Sequence, residues 1–257
     1  MQQPSSLYKR HRCPGEIISH AVWLYYRFLL SYRDVEELLA ERGIAVSYET
    51  VRRWCTKFGQ PFADGVRRRR PRPGDKWHID EVQLRITGRR HWLWRAVDQD
   101  GVVLDILVQE RRNQEAAEAF LRRVVNGTGY EPRVVITDKL ASYPPALRRV
   151  LPSVEHRRHK GLNNRAENSH RPTRRRERVL QRFKSPEHAQ QFLCPFGPIS
   201  DHFRPRRHLL PAPHYHQLLQ TRFAAWREVT GLATASRPVG WYMRASAHQP
   251  PSRGRLT

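Results

Sequence analysis

The chain has 257 residues, and 47 lysines and arginines against 24 aspartates and glutamates give it a formal net charge of +23 and a pI near 11.1. That imbalance asks for a polyanion and points to nucleic acid; an anionic membrane is the weaker rival, because no stretch reaches the ~20 apolar residues of a spanning helix and no secretory signal is visible. Cys13, Cys55 and Cys194 are scattered and odd in number, which excludes a C-x-x-C zinc or redox motif, argues against a disulfide framework and predicts a reducing cytoplasm, in contact with the nucleoid.

At this length we expect two folded units and a loose tail, with boundaries at 1–64, 65–74, 75–204 and 205–257. In EIISHAVWLYYRFLL, Ile17, Ala21, Leu24, Tyr25 and Phe28 share one helical face. Val35, Leu38 and Leu39 mark a second helix, Gly43 supplies a turn, and Ser47 caps a third helix carrying Val51, Trp54 and Phe58. The order reads as helix-turn-helix, in which the last helix enters the major groove, so Tyr48, Glu49, Arg52, Arg53 and Lys57 are the expected DNA-facing positions. The bland alternative is a three-helix bundle with a solvated basic face. GVRRRRPRPG, from Gly65 to Gly74, reads as an extended basic linker whose Arg67, Arg68, Arg69 and Arg70 lie along a phosphate backbone, or as a solvated tether.

From Trp77 the period changes to two. WHIDEVQLRI sets Asp80, Val82, Leu84 and Ile86 on one face of a strand, TGRR turns the chain into HWLWRAV, and DQDG leads into VVLDILV, which makes three antiparallel strands. The aspartates of DQDG fit turn chemistry better than a calcium loop, since Gln109 stands where a bidentate glutamate belongs. A helix with Ala116, Phe120 and Val124 inward should stop at Gly127 or Gly129. RVVITD reads as a central parallel strand with Asp138 at its carboxyl end, where open α/β sheets bind ligands. A short helix over about Pro144–Leu151, a strand in VEHRRH and a helix opening at Asn163 and carrying Glu167 complete the order β-β-β-α-β-α-β-α. The predicted fold class is α/β: a ribonuclease-H-like mixed sheet preceded by an all-α helix-turn-helix domain. Pro172 lacks an N–H, so a helix breaks or restarts there. About His214–Val229 is amphipathic through Leu218, Leu219, Phe223 and Trp226, as a lid or a dimer contact, and the last ~20 residues read as disordered.

Asp80, Asp138 and Glu167 are the candidate ligands of two divalent ions beside a DNA phosphate, because Mg²⁺ takes few, hard oxygen donors and two such ions about 4 Å apart serve in-line phosphoryl transfer. Glu81 competes with Asp80, but alternation along a strand lets only one of them face the site. Glu177 competes with Glu167 and is more simply a helix-surface ion pair. His156, His159 and His170 are spaced too irregularly for a zinc set. Beyond Glu167, Arg171, Arg174, Arg175, Arg178 and Arg182 recur at helical intervals as a cationic ladder for DNA, with a solvated basic helix as the alternative.

Over residues 16–204 the chain resembles the DDE transposases of bacterial and archaeal insertion sequences, most closely insertion-sequence family six. The motifs are ETVRRW, WHIDEVQLRITGRRHWLWRAVDQDG, VVITDKLASYPPAL and EHRRHKGLNNRAENSHRPTRRRERVLQRFKS. The resemblance implies a ribonuclease-H-like catalytic domain with Asp80, Asp138 and Glu167 as its metal-binding triad. It further implies Mg²⁺ with Mn²⁺ as a substitute, terminal inverted repeats as substrate, joining of freed 3′-hydroxyls to target DNA, and a dimer or larger synaptic assembly. A nuclease that does not join strands and a non-enzymatic DNA-binding regulator are the competing classes.

Overall fold

The computed structural model describes residues 7–70, 72–159, 163, 166, 169–179, 183–205 and 209–232. The helical part opens with α1 (Gly15–Arg27), α2 (Tyr32–Ala40) and α3 (Tyr48–Arg68). Ser31 starts α2 with a capping box: its Oγ accepts from Asp34 N–H at 3.1 Å while Asp34 Oδ2 accepts from Ser31 N–H at 2.7 Å. Gly43, at φ +74°, makes the turn, and Ser47 caps α3 through Thr50 N–H. The buried face of α1 is Ile18, Ala21, Val22, Leu24, Tyr25 and Tyr26; Ile17 is half-buried, and Phe28, just beyond the helix, is 39% exposed. The expected face is therefore rotated by about one residue, because both neighbouring tyrosines find partners inside.

Strands β1 (Lys76–Ile86), β2 (Arg89–Asp98), β3 (Val103–Gln109), β4 (Val134–Thr137) and β5 (Glu155–Arg158) form one sheet in the order β3-β2-β1-β4-β5. β1, β2 and β3 are antiparallel, whereas β4 runs parallel to β1 and β5 parallel to β4. This is the predicted ribonuclease-H-like mixed sheet. Thr87 and Gly88, both at positive φ, form the first hairpin turn. In the second, Asp98 Oδ1 accepts from the N–H groups of Asp100 and Val102, which accounts for DQDG as a turn. Helix α4 (Gln114–Thr128), capped by Asn113 and stopped at Gly129 (φ +61°), and α5 (Tyr143–Val150) cover one face through Ala117, Phe120, Leu121, Ala146 and Leu147.

The other face is covered by an element with no counterpart among the predicted ones, the helix over Pro186–His202. Between α5 and that helix lies α6 (Arg171–Val179), which restarts with Pro172 in its first turn, where a missing N–H costs nothing. Pro186–His202 is α7, capped by Ser185, and Ala212–Val229 is α8, with Trp226 packed on Phe62 and Phe203. Phe192 on α7 stacks near Tyr25, Tyr26 and Phe196, and Phe192, Phe196 and Ile199 join one hydrophobic cluster that runs from α1 and α3 to Val82, Leu84 and Leu93 of the sheet. Each such large side chain, fully buried, contributes roughly 1.5–3 kcal/mol. Gln190 of α7 also pairs with the free edge of β3, accepting from Val108 N–H and donating to Ile106 C=O.

Two expectations change in consequence. The reading of Gly65–Gly74 as an extended linker is corrected over Gly65–Arg68, which are the last turn of α3. Val66 is buried, and Gly65 lets α8 approach so closely that a Cβ there would stand 2.5 Å from Val229. The helical part and the sheet also share a core instead of meeting through a tether. The expected disorder at the C-terminus falls on residues outside those described.

Candidate active site

β1 and β4 pair in parallel from Lys76–Val134 to His78–Ile136. Asp80 and Asp138 each stand two residues beyond the last of these pairs, Asp80 within β1 and Asp138 just past the end of β4. Asp80 is half-buried, and His170 Nε2 lies 3.5 Å from its Oδ2. Burial holds the His170 imidazole well below its ordinary pKa, with Arg95 and Arg174 adding to the effect, so the ring sits there neutral. Beneath them Arg95 is buried, donating to Ser169 C=O and Thr173 Oγ1; burial lowers its pKa to about 10 against the pull of Asp201 and Asp80. Asp138 follows β4 directly. Its Oδ1 accepts from Leu140 N–H at 2.9 Å, an Asx turn that fixes the carboxylate at the strand end, and its side chain stays 30% exposed.

Glu81 lies on the other face of β1 and is sealed. Its side chain has no exposed surface; Oε2 accepts from the Tyr143 hydroxyl and Oε1 from Arg112 Nε at 2.7 Å and Nη2. Burial pushes its carboxyl up, while the bonds from Tyr143 and Arg112 pull it back. Arg112 rests on the Trp92 ring at 4.7 Å and brings Nη2 to 3.6 Å from Asp138 Oδ2. Sequence reasoning missed Arg112, which belongs to no motif, and Tyr143, which stands within VVITDKLASYPPAL but carries no chemistry that spacing alone would single out. It preferred Asp80 over Glu81 for sharing a face with Val82 and Leu84, yet Trp77 and Ile79 make the Glu81 face equally apolar. The difference between the two acids lies in exposure.

Glu167 is outside the described residues, as is Arg182. Residues flanking Glu167 are anchored at the same strand: Asn163 Nδ2 donates to Ile79 C=O at 2.9 Å, Ala166 is buried, and His170 meets Asp80. Among the described residues no three histidine, cysteine or carboxylate side chains gather closely enough to hold a metal. Asp80 and Asp138 nonetheless are hard oxygen donors, one within β1 and one at the end of neighbouring β4, the latter 30% exposed, and that chemistry fits a divalent ion of the Mg²⁺ type. His156 is committed elsewhere, its Nε2 2.9 Å from Thr137 Oγ1, and His159 is exposed.

The basic candidates divide by environment. Tyr48, Arg52, Arg53 and Lys57 are exposed on α3, with Arg33 over the Tyr48 ring and Arg52 bidentate to Glu49. Arg68 is exposed, whereas Arg67 bonds Asp64 and Cys194 C=O, Arg69 pairs with Glu228, and Arg70 is tied to Val103 C=O and Pro198 C=O. On α6, Arg171, Arg174, Arg175 and Arg178 face solvent, but Arg176 in their midst is buried and donates to Phe28 C=O at 2.9 Å.

A family model described as a DDE domain, of the IS240 transposase type, matches residues 74–206. The transposase of the insertion sequence-like element IS431mec from Staphylococcus aureus is 35% identical over 161 residues, 61% of this chain and 71% of that protein. The transposase of IS257 in transposon Tn4003, also from Staphylococcus aureus, matches with the same identity and coverage. The HTLV-2 integrase catalytic core domain, solved with magnesium, superposes with a TM-score of 0.34 at 16% identity over 60% of this chain and 88% of that one, too slight a likeness to argue from. The match over more than half of the sequence, with the identity to these relatives, shows that the chain belongs to the DDE transposases of insertion sequences, enzymes that move DNA by cleaving and transferring its strands.

Proposed function

We propose that Asp80, Asp138 and Glu167 are the acidic triad of this transposase, that they bind Mg²⁺, with Mn²⁺ able to replace it, and that the substrate is the pair of terminal inverted repeats of the enzyme's own element. The observation that supports this most directly is the register of β1 against β4, which carries Asp80, within β1, and Asp138, just past the end of β4, to matching positions two residues beyond the His78–Ile136 pair. When bound, divalent ions supply Lewis acidity to the attacking and leaving oxygens of an in-line displacement, so no protein nucleophile is needed. The chain's own residues then orient. The Asx turn holds Asp138, neutral His170 keeps a second positive charge away from Asp80, and the exposed arginines of α6 neutralise phosphates on the strand being cut. Tyr48, Arg52, Arg53 and Lys57 on α3 read the repeat from the major groove, and Arg68 extends that surface toward the backbone. Arg67, Arg69 and Arg70 mainly hold α3 against α7, α8 and β3. Because two ends must be joined, the working form is a dimer or larger assembly.

The test uses purified protein, Mg²⁺ and labelled duplexes carrying the DNA that flanks its gene, with wild type set beside Asp80→Asn, Asp138→Asn and Glu167→Gln. End-specific nicking and strand joining in wild type, lost at least 100-fold in all three variants as expected for roughly 3 kcal/mol of transition-state stabilisation, is the expected result. Nicking without joining would mean a nuclease, and binding without strand chemistry in all four proteins would mean a regulator.

A further inference from the structure

The two acids in WHIDEVQ divide their work. Glu81 is the one charged side chain of β1 that is wholly enclosed, and both of its oxygens are spoken for, by Tyr143 and by the Arg112 guanidinium. Arg112 is thereby held on three sides: by Glu81 Oε1, by the Trp92 ring 4.7 Å away, and by its own attachment just before α4. The remaining side faces Asp138, where Nη2 stops 3.6 Å from Oδ2, beyond hydrogen-bond length. A guanidinium free to move would close that gap, since a direct charge-assisted pair with carboxylate is short and strong. Closed, it would compete with any cation for the same oxygen.

We propose that Glu81 is a positioning residue that holds Arg112 back from Asp138 and so keeps Asp138 Oδ2 open to a divalent cation. The inference rests on the reading of Asp138 as a metal ligand. Tyr143 fixes the carboxylate, the carboxylate fixes the guanidinium, and the guanidinium tempers the negative charge of Asp138 without capping it. Neither Glu81 nor Arg112 touches the ion or the DNA in this account.

Mn²⁺ binding to the full-length protein, read by isothermal titration and by the signal of free Mn²⁺ in electron paramagnetic resonance, tests this without any DNA. Glu81→Gln should bind Mn²⁺ about tenfold more weakly, the loss usual when a residue supporting a ligand is changed, because Arg112 then settles on Asp138. The double variant Glu81→Gln/Arg112→Met should return to wild-type affinity. Arg112→Met alone should bind at least as well as wild type, which keeps the test valid if Glu81→Gln does not fold. Unchanged affinity in Glu81→Gln, a double variant as weak as the single one, or weaker binding in Arg112→Met would each overturn the proposal. Asp138→Asn reports separately on the reading beneath it: wild-type Mn²⁺ affinity in that variant would remove Asp138 from the ligands, whatever Glu81 does.

Discussion

Arg176 carries a guanidinium into the junction of α1, α6 and α7, where it lies 4.6 Å over the Tyr25 ring and 5.3 Å over Phe192 and donates to Phe28 C=O. Its value there combines a cation–π contact with the packing of a long aliphatic stem. We expect Arg176→Ala to lose about 2–4 kcal/mol in urea denaturation by opening a cavity, and Arg176→Met, which fills the space without burying charge, to remain within about 1 kcal/mol of wild type. Equal losses in both variants would mean that the charge itself is needed. His202 gives a second test at this scale. Burial lowers its pKa from 6.5, only partly offset by its bond to Arg222 C=O, and His170 is depressed more strongly. Below pH 6.5 the unfolded chain takes up protons that these folded rings refuse, so their contribution to stability falls as pH falls. His202→Gln should make the decline in denaturation midpoint between pH 7 and 5.5 shallower than in wild type; an unchanged slope would rule His202 out as a source of it.

Among the elements, α2 is short and depends on its ends. The capping box of Ser31 and Asp34 satisfies two of the N–H groups that a helix leaves open at its start. Ser31→Ala should cost about 1 kcal/mol of stability by chemical denaturation, and a loss under a few tenths would show that packing of Val35 and Leu39 suffices. Helix α7 shows how internal prolines hide a periodic element. Pro195 and Pro198 lie inside it, and Ala189, Phe192, Leu193, Phe196 and Ile199 are buried against two different layers. Those five do recur at helical spacing, but Pro195 and Pro198 interrupt the run and read as breakers, which hides the stripe. It forms because its burial outweighs the hydrogen bonds that the prolines forgo.

For the molecule as a whole, the charge of +23 sets the dependence on salt. DNA affinity should fall steeply with ionic strength, and the log–log slope should shrink by about one unit for each phosphate-contacting cation removed. Changing Arg171, Arg174, Arg175 and Arg178 together to glutamine should flatten the slope by about four units in fluorescence anisotropy. Arg67 and Arg70 changed in the same way should instead lower stability more than they alter the slope, because their donors are spent on carbonyls of α7 and β3. The reverse pattern would restore the stretch before Gly74 as a DNA-contacting tether.

The sequence by itself determined the strands, the hairpin turns and the acids placed on them, Asp80 within β1 and Asp138 at the end of β4. Alternation along WHIDEVQLRI, the continuous apolar run of RVVITD and the turn residues in TGRR and DQDG are local properties, and the sheet followed them. It also determined the charge, and with it the class of partner. The tertiary structure alone decided which charges are free. Arg176 stands in the same arginine run as Arg174, Arg175 and Arg178, and no role for it is predicted from sequence; it shares a helical face with Thr173, and that polar face is buried where no apolar pattern could announce it. Likewise Arg67 and Arg70, half-buried, donate to carbonyls of α7 and β3, and both oxygens of Glu81 are taken by Tyr143 and Arg112, from residues 62 and 31 positions away. Burial of a charge depends on partners supplied by distant segments, and a single stretch of sequence holds no record of them.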